Sequence, residues 1–146
     1  MEDFDRIILK DVVIEIVNLT RATIKEALEF KEILNLDLAR NFKKIVIDIR
    51  QCEFIDSTFL GVIVFIKKSV QELGGDVRIV KSHSNVRTIM EKVGTYRFFS
   101  IYDSIESAVR SYESSELLTN NQHKNQNQAP RKKTFIQKFL SSQNSE

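Results

Sequence analysis

The residues of this chain that could carry chemistry are concentrated at the start of one strongly apolar helical pattern. Asp56, Ser57 and Thr58 place one carboxylate and two hydroxyls directly before the apolar run FLGVIVF. Such side chains accept hydrogen bonds from the free N–H groups of a first helical turn, so helix capping alone explains them. The alternative is that one of the two hydroxyls carries chemistry. Residue types and spacing leave both interpretations open.

A nucleophilic enzyme is one function class to weigh. Ser57 or Cys52 could act as nucleophile with His83 as base. However, no Gly-x-Ser-x-Gly elbow or Gly-rich phosphate loop accompanies them, and Cys52 lies in a strand-like stretch, where a free Cys is commonly buried. Both histidines, His83 and His123, are far apart, and the single Cys excludes an internal disulfide. The sequence therefore predicts no enzyme, no cofactor and no metal site.

The helical pattern after Ser57 carries more apolar residues than one packing face requires. One stripe at three and four residue spacing accounts for packing on a sheet: Phe59, Val62, Ile63, Ile66, Val70 and Leu73. Leu60, Val64 and Phe65 remain, and they are either covered by neighbouring helices or form an exposed patch beside Ser57, as an interaction site would. Gly61 either lets a partner approach the first turn closely or eases helix packing.

The elements that must position this site alternate along the chain. Two β-branched runs are followed by helical and strand patterns in the order ββαβαβαβα. The first helix begins after a capping box of Thr23 and Glu26, and the last helix has the same spacing in Asp103 and Glu106. The first helix has a predicted buried stripe, which comprises Ile24, Ala27, Phe30, Leu34 and Leu38.

This order predicts an α/β fold with a single domain over residues 1–113. Alternation of strands and helices implies a mostly parallel sheet, here of four to five strands, with an antiparallel N-terminal edge strand and about four helices. The body of the chain has no excess of basic residues, so a nucleic-acid-binding surface is not expected. An acidic N-terminus and the absence of any apolar run of ~20 residues favour a soluble cytoplasmic protein.

Residues 114–146 differ from the body in composition. They form a polar, Asn/Gln-rich linker followed by RKKTFIQKFLSS, which predicts a disordered basic tail. Phe135, Ile136, Phe139 and Leu140 could share a face beside three consecutive cations. Such a peptide could make a weak contact with an anionic membrane or a partner groove; the alternative is an inert solubilising tail.

From about residue 4 to residue 113, the chain resembles the STAS domain of bacterial anti-sigma factor antagonists. The most specific part of the resemblance is the motif Asp-Ser-[Ser/Thr]-x-Leu-Gly, which is matched by residues 56–61. The strand IVIDI before it, the pair Gly74-Gly75 after the helix and the segment YDSIESAV support the same family.

The resemblance implies a partner switch. In such proteins the Ser after the Asp, here Ser57, is phosphorylated by an anti-sigma factor with serine kinase activity. The unphosphorylated form binds that anti-sigma factor, and a serine phosphatase resets the switch. The protein would then be a monomeric binding module and a substrate. The expected partner-binding residues surround Ser57 and are Asp56, Thr58, Phe59, Leu60, Gly61, Val64 and Phe65.

Two departures from the family pattern bear on this expectation. Phe59 stands where the family usually has Gly, which would place a bulky group beside the phosphoacceptor. Where many relatives have a Gly-Glu-[Ile/Leu]-Asp turn before the first helix, this chain reads VNLTRAT. The alternative function is therefore a STAS scaffold that binds a partner constitutively in a signalling or membrane complex, with Ser57 serving only as a helix cap.

Overall fold

Seven strands, four α-helices and one short 3₁₀ helix, Tyr96–Phe98, lie within residues 2–81 and 84–113, the part of the chain that the computed structural model describes. The strands are short and rich in Val and Ile, as their burial on a sheet requires. In chain order they are β1 Phe4–Leu9, β2 Val12–Val17, β3 Arg21–Ala22, β4 Lys44–Asp48, β5 Phe54–Ile55, β6 Asp76–Val80 and β7 Ser100–Tyr102. The helices are α1 Ile24–Ala39, α2 Ser57–Glu72, α3 Ser84–Lys92 and α4, which covers 105–113.

The main sheet has five strands in the order β1-β2-β4-β6-β7. β1 pairs antiparallel with β2 at one edge, and every other pairing is parallel. Lys10, at the β1–β2 turn, has a positive φ of 56°, the left-handed conformation that a tight hairpin turn requires. The predicted mostly parallel sheet with an antiparallel N-terminal edge is confirmed.

A second, two-stranded sheet was not predicted. β3 pairs parallel with β5, with Arg21 opposite Phe54 and Ala22 opposite Ile55. Each strand has two residues, which is too short for an alternating pattern to show in the sequence. The pairing matters because β3 leads into α1 and β5 leads into α2, so it holds the first turns of these two helices side by side.

Local signals determine most helix ends. The predicted capping box at Thr23 and Glu26 is present, and the end of α2 is followed by Gly74 with a φ of 85°. The predicted box at Asp103 is wrong. There the Ser104 hydroxyl accepts from the backbone N–H of Ser107 at 3.1 Å, whereas exposed Asp103 forms an ion pair with Lys81.

The two faces of the main sheet are covered differently. Helices α1, α2 and α3 bury one face, with Phe30 and Phe59 stacked at 4.9 Å between ring centroids. On the other face, α4 packs Ala108 and Tyr112 onto β2, β4 and β6. The Tyr112 hydroxyl donates to the carbonyl oxygen of Ile45 at 2.7 Å, which anchors the end of α4 to the sheet.

The predictions for residues 114–146, a disordered tail with membrane or partner contacts, lie outside the described residues.

One cluster of charged side chains is buried between β1, β2 and α1. Arg6 bonds the Glu15 carboxylate at 3.0 Å and lies 2.9 Å from the Asp37 carboxylate, and both acids are almost fully buried. Burial and the adjacent Asp37 raise the pKa of Glu15 to about 9. One guanidinium therefore faces two buried carboxyl groups, and the raised pKa of Glu15 favours its protonated form at neutral pH.

This cluster predicts that stability falls as pH rises. Because the folded pKa of Glu15 lies above its ordinary value of 4.5, the folded state binds more protons between pH 4.5 and about 9, and alkali favours unfolding. We expect the melting temperature to drop between pH 5 and pH 8, and the drop to shrink in Glu15→Gln, whose amide can donate to Asp37 at any pH. Exposed Glu29→Gln is the control. An equal drop in both variants, measured by circular dichroism, would contradict the assignment.

Candidate functional site

One carboxylate joins the first turns of α1 and α2. Asp56 precedes α2, and its Oδ1 accepts from the backbone N–H of Phe59 at 2.8 Å. Its Oδ2 accepts from the backbone N–H of Ile24, the first residue of α1, also at 2.8 Å. The β3–β5 pairing brings these two helix ends together, and the backbone N–H of Asp56 itself donates to Ala22. Asp56 is therefore the cap of α2 and a second N-terminal acceptor for α1.

Ser57 and Thr58 are both exposed on the first turn of α2. Among the described residues, neither hydroxyl forms a hydrogen bond in the structure. Because Asp56 occupies the capping position, the interpretation of Ser57 as a helix cap is wrong. Asp56 therefore has a structural role, whereas Ser57 and Thr58 expose their hydroxyl groups to solvent.

Two of the expected partner-binding residues lie in the core instead. Phe59 is fully buried and stacks on Phe30, and Leu60 is 3% exposed. Phe59 therefore does not crowd Ser57, and neither side chain is accessible to a partner. The physical reason is that α2 packs against both α1 and β6, so its buried face is wider than a single stripe.

The remaining α2 residues have different environments. Phe65 is 48% exposed, and the Lys31 ammonium lies 4.9 Å from the centre of its ring. Val64 is half-buried at the edge of the core. Gly61 is exposed, and a Cβ added there would meet no atom within 4 Å, so packing within the described residues does not require glycine at this position.

Two exposed apolar residues of α1 lie near this part of α2. Ile24 was predicted to face the core but is 67% exposed, and Leu28, one turn further, is 69% exposed. Helices α1 and α2 pack side by side, with the Ile24 N–H bound to Asp56 and with Lys31, one turn beyond Leu28, over the Phe65 ring. We call the three exposed apolar residues Ile24, Leu28 and Phe65 the α1–α2 patch. The feature of the sequence that could have indicated this patch is Leu28, an apolar residue outside the predicted buried stripe of α1.

Of the residues considered for nucleophilic chemistry, Cys52 has an environment that opposes reactivity. Cys52 is fully buried, and burial raises the pKa of its thiol to about 12, which disfavours the reactive thiolate. His83 lies outside the described residues. Residues 2–81 and 84–113 contain no group of three or more potential metal ligands. In the same ranges, no helix is long and apolar enough to cross a membrane.

A cavity of about 130 Å³ lies between α3 and the main sheet. It is lined mainly by aliphatic side chains such as Ile49, Val86 and Met90, with Lys81 and Arg87 among the lining residues. None of the residues around Ser57 contributes to it. The cavity is therefore separate from the site on α2.

Comparison with known proteins adds to this geometry. The family model of the STAS domain matches residues 5–108. A candidate anti-sigma factor antagonist of Thermotoga neapolitana is 33% identical over 110 residues, which cover 73% of this chain and 94% of the relative.

Solved structures agree with the fold. The crystal structure of a candidate anti-sigma factor antagonist from Thermotoga maritima superimposes with a TM-score of 0.66 at 32% identity, covering 74% of this chain and 92% of that one. The Bacillus cell fate determinant SpoIIAA in its phosphorylated form superimposes with a TM-score of 0.60. It is 11% identical, with 75% of this chain and 98% of that one covered, so it supports the fold alone.

Proposed function

The chain belongs to the STAS domain family, among the anti-sigma factor antagonists, and from this membership we propose that it works by partner switching through Ser57. In this proposal the unphosphorylated protein binds an anti-sigma factor with serine kinase activity in the cytoplasm. Phosphorylation of Ser57 by that partner releases the complex, and a serine phosphatase restores the binding form. The protein acts as a substrate and a binding module and catalyses nothing itself.

The observation that carries the proposal is that Asp56, and not Ser57, caps α2. Asp56 supplies the helix cap, so the fold makes no demand on the Ser57 hydroxyl, which is exposed at the first position of α2. A kinase can therefore reach this oxygen without unfolding any element. Ser57 is also the residue that stands at the phosphoacceptor position of the family motif.

The α1–α2 patch is the proposed docking surface for the anti-sigma factor. Ile24 and Leu28 supply aliphatic area on α1, and Phe65 supplies an aromatic ring on α2. Exposed apolar clusters of this kind are typical of interaction sites, and aromatic residues often contribute most to binding. Of the residues expected from the motif, Asp56, Thr58, Gly61, Val64 and Phe65 keep their proposed roles, with Gly61 allowing close approach of the partner.

Phosphorylation would act on the partner more than on the fold. A phosphoryl group adds about −1.5 to −2 charges and three acceptor oxygens. At a helix N-terminus the dipole and the N–H groups of Ser57 and Thr58 accommodate such an anion, so α2 should remain folded. Docking, however, would have to remove water from a dianion beside the Asp56 carboxylate, which costs several kcal/mol without a compensating cation.

The test is intact-mass spectrometry of the protein isolated from its native cells, with peptide mapping across residues 51–67. We expect a fraction of the protein to carry one phosphate-sized mass increase that a serine phosphatase removes and that maps to Ser57. Ser57→Ala, expressed in the same cells, should lose the modification, whereas the matched variant Thr58→Ala should keep it.

Other outcomes distinguish the alternatives. Phosphate on Thr58 that persists in Ser57→Ala would contradict the assignment of the site. Absence of phosphate under varied growth conditions would instead favour the constitutive STAS scaffold.

A further inference from the structure

The face of the main sheet that packs on α4 is only partly covered within the described residues. Val12 and Ile14 of β2 are buried there together with Ala108 and Tyr112 of α4. Among the described helices, α4 alone packs on this side, whereas three helices share the opposite side. The cover reaches β2 but does not extend over the edge strand β1.

Three large aliphatic side chains of β1 are exposed. Ile8, which is 52% exposed, points to the opposite side of the sheet, and the other two lie on the α4 side. Ile7 lies opposite Ile14 and Leu9 opposite Val12, so both point to the α4 side of the sheet. Ile7 is 41% exposed and Leu9 is 46% exposed, although their partners on β2 are buried. We call Ile7 and Leu9 the β1 strip. An uncovered apolar strip on an edge strand invites pairing or association unless another segment covers it.

The chain leaves the described structure beside this strip. Glu113, the last described residue, lies with its carboxylate 3.4 Å from the Lys10 ammonium. Lys10 directly follows Leu9, at the end of β1. Residues 114–146 therefore begin next to the β1 strip, on the same side of the sheet as α4.

The sequence of this C-terminal segment matches the surface around β1. Exposed acidic residues lie at the start of β1, namely Glu2, Asp3 and Asp5, and the aliphatic strip follows them along the chain. Residues 131–133 are three consecutive cations, and the apolar residues Phe135, Ile136, Phe139 and Leu140 follow. In both segments the charged residues come first and the apolar residues follow, and the charges are opposite in sign. A parallel alignment therefore places the cations beside the acidic residues and the two apolar parts against each other.

The length of the intervening segment is sufficient. A polar linker as long as residues 114–130 has a root-mean-square reach of roughly 20–25 Å. The six residues of β1 span about 20 Å at ~3.3 Å per residue. The basic segment can therefore reach the acidic end of β1 from Glu113, at an effective concentration on the order of millimolar.

We propose that residues 131–140 of the same chain bind the β1 strip, with the apolar residues over Ile7 and Leu9 and the cations beside Glu2, Asp3 and Asp5. This contact would complete the cover of the α4 side of the sheet and protect its exposed edge. Since the α1–α2 patch lies on the opposite side, the contact leaves that patch open. The contact does not depend on phosphorylation at Ser57.

Paramagnetic broadening in the full-length protein tests the contact. A nitroxide attached to Ser141→Cys should abolish the methyl signals of Ile7 and Leu9 in a sample with ¹³C-labelled Ile and Leu methyl groups. Ile24 and Leu28, which are more exposed than Ile7 and Leu9 and lie on α1 on the other side of the sheet, should keep their signals. Cys52 is fully buried, and the wild-type chain treated with the same reagent controls for any reaction there.

Tail variants and isotope mixing complete the experiment. Adding Phe135→Ser and Phe139→Ser to the labelled chain should restore the Ile7 and Leu9 signals, whereas adding Gln137→Ser should not. Full intensity at Ile7 and Leu9 in the labelled chain would overturn the proposal. In the mixed sample, ¹³C-labelled wild-type chains are combined with unlabelled chains that carry the nitroxide. Broadening of Ile7 and Leu9 there that is as strong as in the singly labelled chain would also overturn the proposal, because the occupant would then be a second copy.

Discussion

Replacement of Ser57 by Asp is expected to weaken binding to the anti-sigma factor by on the order of 100-fold, or about 3 kcal/mol. The reason is that the new carboxylate would have to lose its water beside Asp56 when the partner docks on the α1–α2 patch. Folding should be almost unaffected, because residue 57 is exposed and Asp56 keeps the cap. We expect the free energy of unfolding to change by less than about 1 kcal/mol.

The measurement is calorimetric titration with the cognate anti-sigma factor, together with thermal unfolding of each variant. Ser57→Asn is the matched control, because Asn has the size of Asp without its charge, and it should bind far better than Ser57→Asp. Ser57→Ala should bind normally but accept no phosphate. Equal loss in the Asp and Asn variants would point to steric exclusion, and unchanged affinity in Ser57→Asp would refute the switch.

A pair of charged substitutions on α2 should separate its core residues from its surface residues. Leu60→Asp places a carboxylate among the buried side chains at a position that is 3% exposed, and we expect it to unfold the domain. Phe65→Asp changes a residue that is 48% exposed, so the domain should stay folded while capture of the anti-sigma factor is lost. Circular dichroism and pull-down of the two variants measure both effects.

Leu36→Asp supplies the control for a charge on an exposed apolar residue of these helices. Leu36 is 50% exposed on α1 but does not belong to the α1–α2 patch. This variant should fold and still capture the partner. Loss of capture in Leu36→Asp as well would mean that the docking surface is wider than the patch, and capture by Phe65→Asp would exclude Phe65 from it.

Periodicity in the sequence was sufficient to predict the main sheet and its helices, because each long element has to bury a regular face. It was insufficient for α2, where Phe59, Leu60 and Ile63 are all buried. A helix that packs against both a sheet and a neighbouring helix has a broad apolar face, and the limits of that face depend on the neighbour. The prediction that Ile24 is buried was wrong for a related reason, because the first turn of α1 lies at the margin of the core.

The cap could not be assigned from residue types, since Asp56, Ser57 and Thr58 are all good capping residues. What decides among them is the end of β5 at Ile55, which fixes where α2 begins. The pairing of β5 with β3 is a contact between distant segments and leaves no local pattern. The same contact aligns α1 with α2, so the double role of Asp56 follows from tertiary structure alone.

The position of Asp56 between two helix starts also sets the electrical state of the site before any modification. Each helix N-terminus is equivalent to roughly half a positive charge, so the two together approximately cancel one carboxylate. The unmodified surface is then close to electrical balance at the point where a partner would dock. A phosphoryl group would leave this surface with a net negative charge, since the two dipoles together balance only about one of the charges, while the free N–H groups of Ser57 and Thr58 still keep α2 folded. The protein would thus report its state as a change from near-neutral to net negative charge at one place on an unchanged fold.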